Sequence, residues 1–379
     1  MTLAQPLREL LAHGTPSPEA IDGFLASHAF PLLDPHGVTF VFRGRVDAVV
    51  LRMFISGLPA AQPLSRAGGT DLWLLRLDLP EGSRFEYKFE VVRGHASEWI
   101  TDPLNPHRAS DPFGANSVCQ GWGYQPPEWT RHDPSARPGT LDGLAVDSRH
   151  LGRRELRVYV PARFRRSRRY ALLVCHDGED YLRYAGLQTV LDNLSHRLEI
   201  PPLIVALTNS PDRLKEYVGF DPHADFVAHD LLPALAARFP LEDEPASRAL
   251  MGASLGGVAA LHAAWRHPGT FGRLLLQSGS FAFTDIGENR RGPVFEPVVK
   301  FVNAFRANPA RPTERIYQSC GIYESLIYEN RSLLPLLQDQ KIQVRYDEAR
   351  DGHNWQNWRD RLQAGLNYLF PGPLWMVYE

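Results

Sequence analysis

The spacing of apolar positions changes twice along this chain, and each change marks a different kind of element. Residues 4–30 carry two short helical patterns, at 7–11 and 20–25, the second preceded by Ser17-Pro18-Glu19, which reads as a helix start. From Val38 the period falls to two. Val38, Phe40 and Phe42 alternate with other residues, and similar runs follow at 49–54, 72–77 and 85–91, separated by Gly, Pro and Ser. Short alternating runs punctuated by turn residues predict an antiparallel sandwich. Residues 101–114 read as loop, and Pro126, Pro127, Pro134 and Pro138 make the stretch 125–140 a linker, because that density of proline continues neither sheet nor helix.

Beyond residue 140 the pattern becomes strand, helix, strand. Strands are predicted at 156–160, 170–175, 203–207, 248–251, 274–277, 315–319 and 342–346. Several are nearly unbroken apolar runs, as in strands covered on both faces. Helical patterns at 187–198, 224–239, 255–265, 297–305, 326–337 and 355–369 separate them. Such alternation predicts a mostly parallel sheet wrapped by helices. The organisation expected is therefore a helical lead-in (1–30), an all-β module (31–124), a proline-rich linker (125–140) and an α/β domain (141–379).

Composition narrows the function classes. The 379 residues are 44% hydrophobic and 22% charged, with a net charge of -2, which fits a folded globular chain and provides no global field for nucleic acid or an anionic membrane. Of the 41 basic residues four are lysines (Lys88, Lys215, Lys300, Lys341) and the rest arginines. The arginine-rich run from Arg153 to Arg169 reads as two strands joined by a basic hairpin loop, since no recognition helix or stacking module accompanies it. Cys119, Cys175 and Cys320 are odd in number and far apart, so neither a disulfide framework nor a zinc site is expected. Arg8 and Glu9 interrupt the apolar core that a signal peptide would need, and no run approaches a membrane span of about 20 residues. A cytoplasmic setting follows as the expectation.

The chemistry concentrates at Gly252-Ala-Ser-Leu-Gly256, where an apolar strand runs into a glycine-flanked serine and then into a helix containing Val258, Ala259, Ala260, Leu261 and Ala263. This is the strand-turn-helix context of a nucleophile elbow, with Ser254 exposed at the strand end and the Leu255 N–H aimed at a developing oxyanion. A serine hydroxyl needs a general base. Downstream of Ser254 the histidines are His262, His267 and His353, and the first two fall in or near the elbow helix. His353, in a loop after the last strand, is the base by elimination. The orienting carboxylate is Glu324, in the loop after strand 315–319, with Asp351 as the rival two residues from His353. A second oxyanion N–H comes from Gly178 or Glu179, in the glycine turn after strand 170–175. His176 and Asp177 are adjacent there, but two neighbouring ligands do not make a metal site.

The segments His176-Asp-Gly-Glu179, Asp212-Arg-Leu-Lys-Glu-Tyr217, Gly252-Ala-Ser-Leu-Gly-Gly257 and 352–362, taken with the β module, resemble the enterochelin (ferric enterobactin) esterase family and its esterase D and antigen 85 relatives. The resemblance covers nearly the whole chain. It implies an α/β-hydrolase catalytic domain preceded by an immunoglobulin-like or glycogen-binding-type sandwich that helps wall the active site. It also implies hydrolysis of ester bonds in catecholate siderophores, with release of iron inside the cell, Ser254 as nucleophile, His353 as base and Glu324 as acid. No metal or organic cofactor is implied, and the partner is a small-molecule ester. Because a ferric tris-catecholate is an anion, arginine and aromatic side chains near the serine are expected to bind it: Arg183, Arg213, Arg290 and Arg291, with Tyr181, Trp355 and Trp358. A feruloyl, acetyl or general acyl esterase of the same fold is the alternative. From another class, a carbohydrate-binding or scaffold protein with a vestigial hydrolase domain remains.

Overall fold

The computed structural model describes residues 3–55, 58–283 and 292–373. The chain divides into two compact units. The first comprises Met1–Pro126 with two short later segments, Gly321–Glu324 and Arg350–Asn354, and the second holds the rest.

In the first unit the alternating runs form two antiparallel sheets. One is ordered Leu32–Asp34, Gly37–Arg43, Leu72–Asp78, Ser65–Arg66. The other runs Ala61–Pro63, Ala48–Met53, Arg84–Arg93, Gly114–Gln120, Arg108–Asp111, with Ala96–Ile100 also paired to Arg84–Arg93. Period two sends Phe40 and Phe42 from one sheet and Leu51, Phe85, Tyr87 and Phe89 from the other into one shared core. Two of the strands, Arg108–Asp111 and Gly114–Gln120, lie in the stretch read as loop or just after it, because Asn, Ser and Gly there weaken the strand signal. The N-terminal helices Gln5–Leu11 and Pro18–Ser27 are part of this unit and no separate lead-in. Ser17 caps the second helix by accepting from the Ala20 N–H, and Leu7, Ile21 and Phe24 pack on Val41, Leu72 and Leu74.

The second unit is built on an eight-stranded sheet. Its strands are β1 (Thr140–Ser148), β2 (Gly152–Val160), β3 (Ala171–His176), β4 (Leu203–Thr208), β5 (Arg248–Ala253), β6 (Arg273–Gln277), β7 (Arg315–Gly321) and β8 (Gln343–Ala349). They are ordered β1-β2-β4-β3-β5-β6-β7-β8, the strand order of an α/β-hydrolase. Pairs β3/β4, β3/β5, β5/β6 and β6/β7 are parallel, whereas β1/β2 and β2/β4 are antiparallel. The basic run is therefore not a hairpin between β2 and β3. β4 lies between those strands, and the hairpin is β1–β2, whose first strand the sequence reading missed because Gly143 and three aspartates or serines dilute its alternation.

Both faces of the sheet are covered. Leu172, Val174, Leu250 and Leu274 belong to one core, and Leu173, Met251 and Leu275 to the other. The proline-rich stretch is docked and not a free tether: the Asn193 amide donates to the Trp129 and Arg131 carbonyls at 2.8 and 2.7 Å. The helical pattern at 224–239 is split into Asp221–Asp225, a π-helical turn at Phe226–Leu231 and Leu232–Arg238. Among the described residues no helix is long and apolar enough to cross a membrane.

Candidate active site

β5 ends at Ala253, and the helix Leu255–Arg266 begins two residues later. Ser254 makes that turn at φ 57°, ψ -120°, a strained conformation that β-carbon-bearing residues rarely adopt. Two small residues permit it. A β-carbon on Gly252 would lie 2.3 Å from the Gly256 backbone, and one on Gly256 would touch Asp177 Oδ2 and His176 Cβ at 3.3 Å. The turn is pinned by Ser254 N–H donating to the Gln277 carbonyl at 2.9 Å and by Ser280 N–H donating to the Ser254 carbonyl at 3.1 Å. Ser254 Oγ lies 3.2 Å from Ser280 Oγ, a neighbour that no motif in the sequence singled out.

Glu324 and His353 both fall in the first unit, on the segments Gly321–Glu324 and Arg350–Asn354. Glu324 is 1% exposed. Its Oε1 accepts from the Gly321 N–H at 2.9 Å, and its Oε2 stands 2.7 Å from His353 Nδ1. A carboxylate at Nδ1 holds the proton on that nitrogen and leaves Nε2 as the basic atom of the ring. Asp351 is committed elsewhere. Its oxygens accept from Arg84 Nη1 at 3.1 and 3.2 Å, from the Gly352 N–H at 2.7 Å and from the Asn354 amide at 2.7 Å. Burial pushes the Asp351 carboxyl up to about 6, against the opposing pull of Arg84.

On the β3 side, Asp177 occupies the left-handed region at φ 55° and starts the helix Gly178–Tyr184. The Glu179 N–H donates to Asn209 Oδ1 at 3.0 Å, so it is engaged, and its carboxylate pairs with Arg157. Gly178 and Leu255 are the first residues of their helices, where an N–H has no intrahelical acceptor. Asn209 is thus a contributor the motif reading missed, and its position directly after β4 was the available signal.

The expected substrate-binding side chains fare unevenly. Tyr181 is fully buried, with its hydroxyl donating to Gln277 Oε1 at 2.8 Å; it supports the strand end from below and is no surface contact. Trp358 is buried too, its ring N–H donating to Ser278 Oγ at 2.9 Å. Trp355 joins them edge-on, with ring centroids 5.2 Å from Tyr181 and 4.7 Å from Trp358. Both indoles begin a helix whose apolar face turns inward, which is why their aromatic surface is spent on packing. Arg213 forms a two-pronged pair with Asp177, at 2.7 and 2.8 Å, and remains 41% exposed. Arg183 is exposed and lines a cavity of about 530 Å³ with Arg157, Glu179 and Asp180. Arg290 and Arg291 lie outside the described residues.

His176 Nδ1 lies 3.0 Å from the Met251 carbonyl, to which it donates, so its Nε2 accepts from His223 Nε2 at 3.1 Å. Burial lowers His176 to about 4, so it stays neutral and structural. The one group of possible metal ligands among the described residues is Asp225, His229 and His267, whose ligand atoms lie within 4.8 Å of one another. Arg266 already grips that carboxylate at 2.7 and 3.1 Å, and His267 Nε2 lies 2.9 Å from it. A cavity of about 550 Å³ lies beside this group and contains none of Ser254, Glu324 and His353.

Comparison with known proteins places the chain in a family. The Esterase family model matches residues 148–369, more than half of the chain. The iron(III) enterobactin esterase of Escherichia coli K12 is 25% identical over 333 residues, covering 80% of this chain and 81% of that protein. The iron(III) enterobactin esterase of Dickeya dadantii is 25% identical over 401 aligned positions, covering 95% and 91%. The enterobactin esterase of Shigella flexneri, solved in the presence of enterobactin, shares the fold with a TM-score of 0.73 at 23% identity, over 92% of this chain and 97% of that one. Matched by that model from the end of β1 through β8 and over more than half of its length, this chain belongs to the Esterase family.

Proposed function

We propose that the protein is a serine esterase of the enterochelin esterase type, hydrolysing ester bonds of a ferric catecholate siderophore such as enterobactin in the cytoplasm. The observation that carries the reaction is the 2.7 Å contact between His353 Nδ1 and the buried Glu324 carboxylate. It makes His353 Nε2 the basic atom that takes the Ser254 proton as Oγ attacks the acyl carbon and returns that proton to the leaving alcohol. The acyl-enzyme is then hydrolysed by water activated at the same nitrogen. The N–H groups of Leu255 and Gly178 receive the oxyanion. Similarity to iron(III) enterobactin esterases extends over 80% to 95% of the chain, so it takes in the β module as well as the catalytic sheet, and this supports the siderophore substrate. Arg213 and Arg183 are the cations assigned to the substrate anion. Cys119, Cys175 and Cys320 are buried and none is in a disulfide, in keeping with a reducing compartment.

The test is a substrate panel of ferric enterobactin, feruloyl esters and short p-nitrophenyl esters, run on the wild type and on Ser254→Ala. Ferric enterobactin is expected to be turned over with the highest kcat/KM. Ser254→Ala is expected to lower kcat by roughly 10⁵-fold or more. Wild-type hydrolysis by Ser254→Ala would refute the mechanism, whereas preference for feruloyl or acetyl esters would refute the substrate alone. Retention on glycogen or xylan without ester hydrolysis would favour the carbohydrate-binding reading instead.

A further inference from the structure

Arg84 opens the strand Arg84–Arg93, directly before the alternating run Phe85, Tyr87, Phe89 and Val91. It is 1% exposed, and an arginine is almost never so buried unless it is paired. Besides Glu86, its partners lie far away in sequence, on the segment that carries His353. Nη1 donates to both Asp351 oxygens at 3.1 and 3.2 Å and to Asn354 Oδ1 at 2.8 Å, while Nη2 donates to Glu86 Oε1 at 3.0 Å. The Arg84 backbone N–H also donates to the Arg350 carbonyl at 2.8 Å. Asp351 and Asn354 bracket the base, and Asp351 further ties down the intervening Gly352 N–H. The segment bearing Glu324 is tied to the residue before that strand and to the His353 segment: Tyr323 OH bonds Ser83 Oγ, and Tyr323 N–H donates to the Asp351 carbonyl at 3.2 Å.

We infer that Arg84 is a positioning residue for His353: its guanidinium fixes the Asp351–Asn354 segment so that the imidazole meets Glu324 in one orientation. The inference rests on His353 being the base, as proposed above. It gives the β module a part in the reaction through one side chain, beyond any surface it offers to substrate. A planar fork satisfying two carboxylates and an amide is a geometry that lysine does not reproduce.

The experiment is a double-mutant cycle on a p-nitrophenyl ester, with Arg84→Met, His353→Ala and the pair, each checked for folding by circular dichroism and thermal unfolding. Arg84→Met is expected to lower kcat at least 10-fold with KM changed less than 3-fold, and to add no further loss on top of His353→Ala. Arg84→Lys is expected to recover only part of kcat, and it carries the test if the methionine variant does not fold. Wild-type kcat in the folded Arg84 variants would overturn the inference. So would a loss that multiplies with that of His353→Ala, since that marks a general structural effect. Should His353→Ala itself keep wild-type activity, the base assignment fails, and the inference with it.

Discussion

Asp351 is a residue whose protonation is set by its surroundings. It is 5% exposed, beside Arg84, Glu86 and Asn354, and its carboxyl sits at about 6 where 3.8 is ordinary. The folded value is the higher one, so between about pH 4 and 6 the folded chain binds more protons than the unfolded chain. The stability from this group is therefore present below about pH 4 and lost as pH rises through 6. In urea unfolding, the stability of the wild type relative to Asp351→Asn is expected to fall by on the order of 1–3 kcal/mol between pH 4 and pH 7. A flat difference across that range would show that the carboxyl does not titrate there. At this scale Ser254 and His353 stood out in the sequence as candidates, because a glycine-flanked serine and a late loop histidine are local signals. The choice of Glu324 over Asp351 was open in sequence. It was narrowed by which of the two carboxylates Arg84 had already claimed.

The strand-turn-helix that carries Ser254 is the element on which the proposed reaction depends most directly. Its strain at Ser254 costs about 1–3 kcal/mol and persists because β5, the following helix and the Gln277 carbonyl over-determine the turn. Gly252→Ala would drive a methyl group to 2.3 Å from the Gly256 backbone, where no flexible side chain is available to yield. The expected outcome is a loss of about 2–4 kcal/mol in urea unfolding, together with a large fall in kcat on a p-nitrophenyl ester. Unchanged stability would mean that the turn can open at little cost. The same turn was readable in sequence, since its residues are consecutive. The mistaken β2–β3 hairpin shows the converse, because strand neighbours are set by pairing across the sheet and not by adjacency along the chain. Tyr181 and Trp358 were misjudged for a related reason: an aromatic residue near a loop carries no local mark of which way its ring faces.

For the whole molecule, the division into units does not follow the chain. Residues 321–324 and 350–354 lie within the second half of the sequence yet belong to the first unit. A chain starting at Pro127 would therefore leave the Glu324 and His353 segments without the strand Arg84–Arg93 that braces them. Such a truncation is expected to lose at least 100-fold in kcat on a p-nitrophenyl ester while retaining a helix-and-sheet circular dichroism spectrum. Full activity would show that the β module is dispensable for the chemistry. The sequence by itself determined the class of each part: periods of two and 3.6 residues separate sandwich from α/β domain, and the elbow motif marks the candidate nucleophile, because these signals are local in the chain. Tertiary structure alone decided that Arg84 and Asp351, 267 positions apart, share one buried ion pair. It decided likewise that Glu324 turns to His353 and that the expected aromatic contacts are packing. The physical reason is common to all three. A buried charge or ring is tolerated only where folding brings it a partner, and the partner's identity is a property of the assembled core.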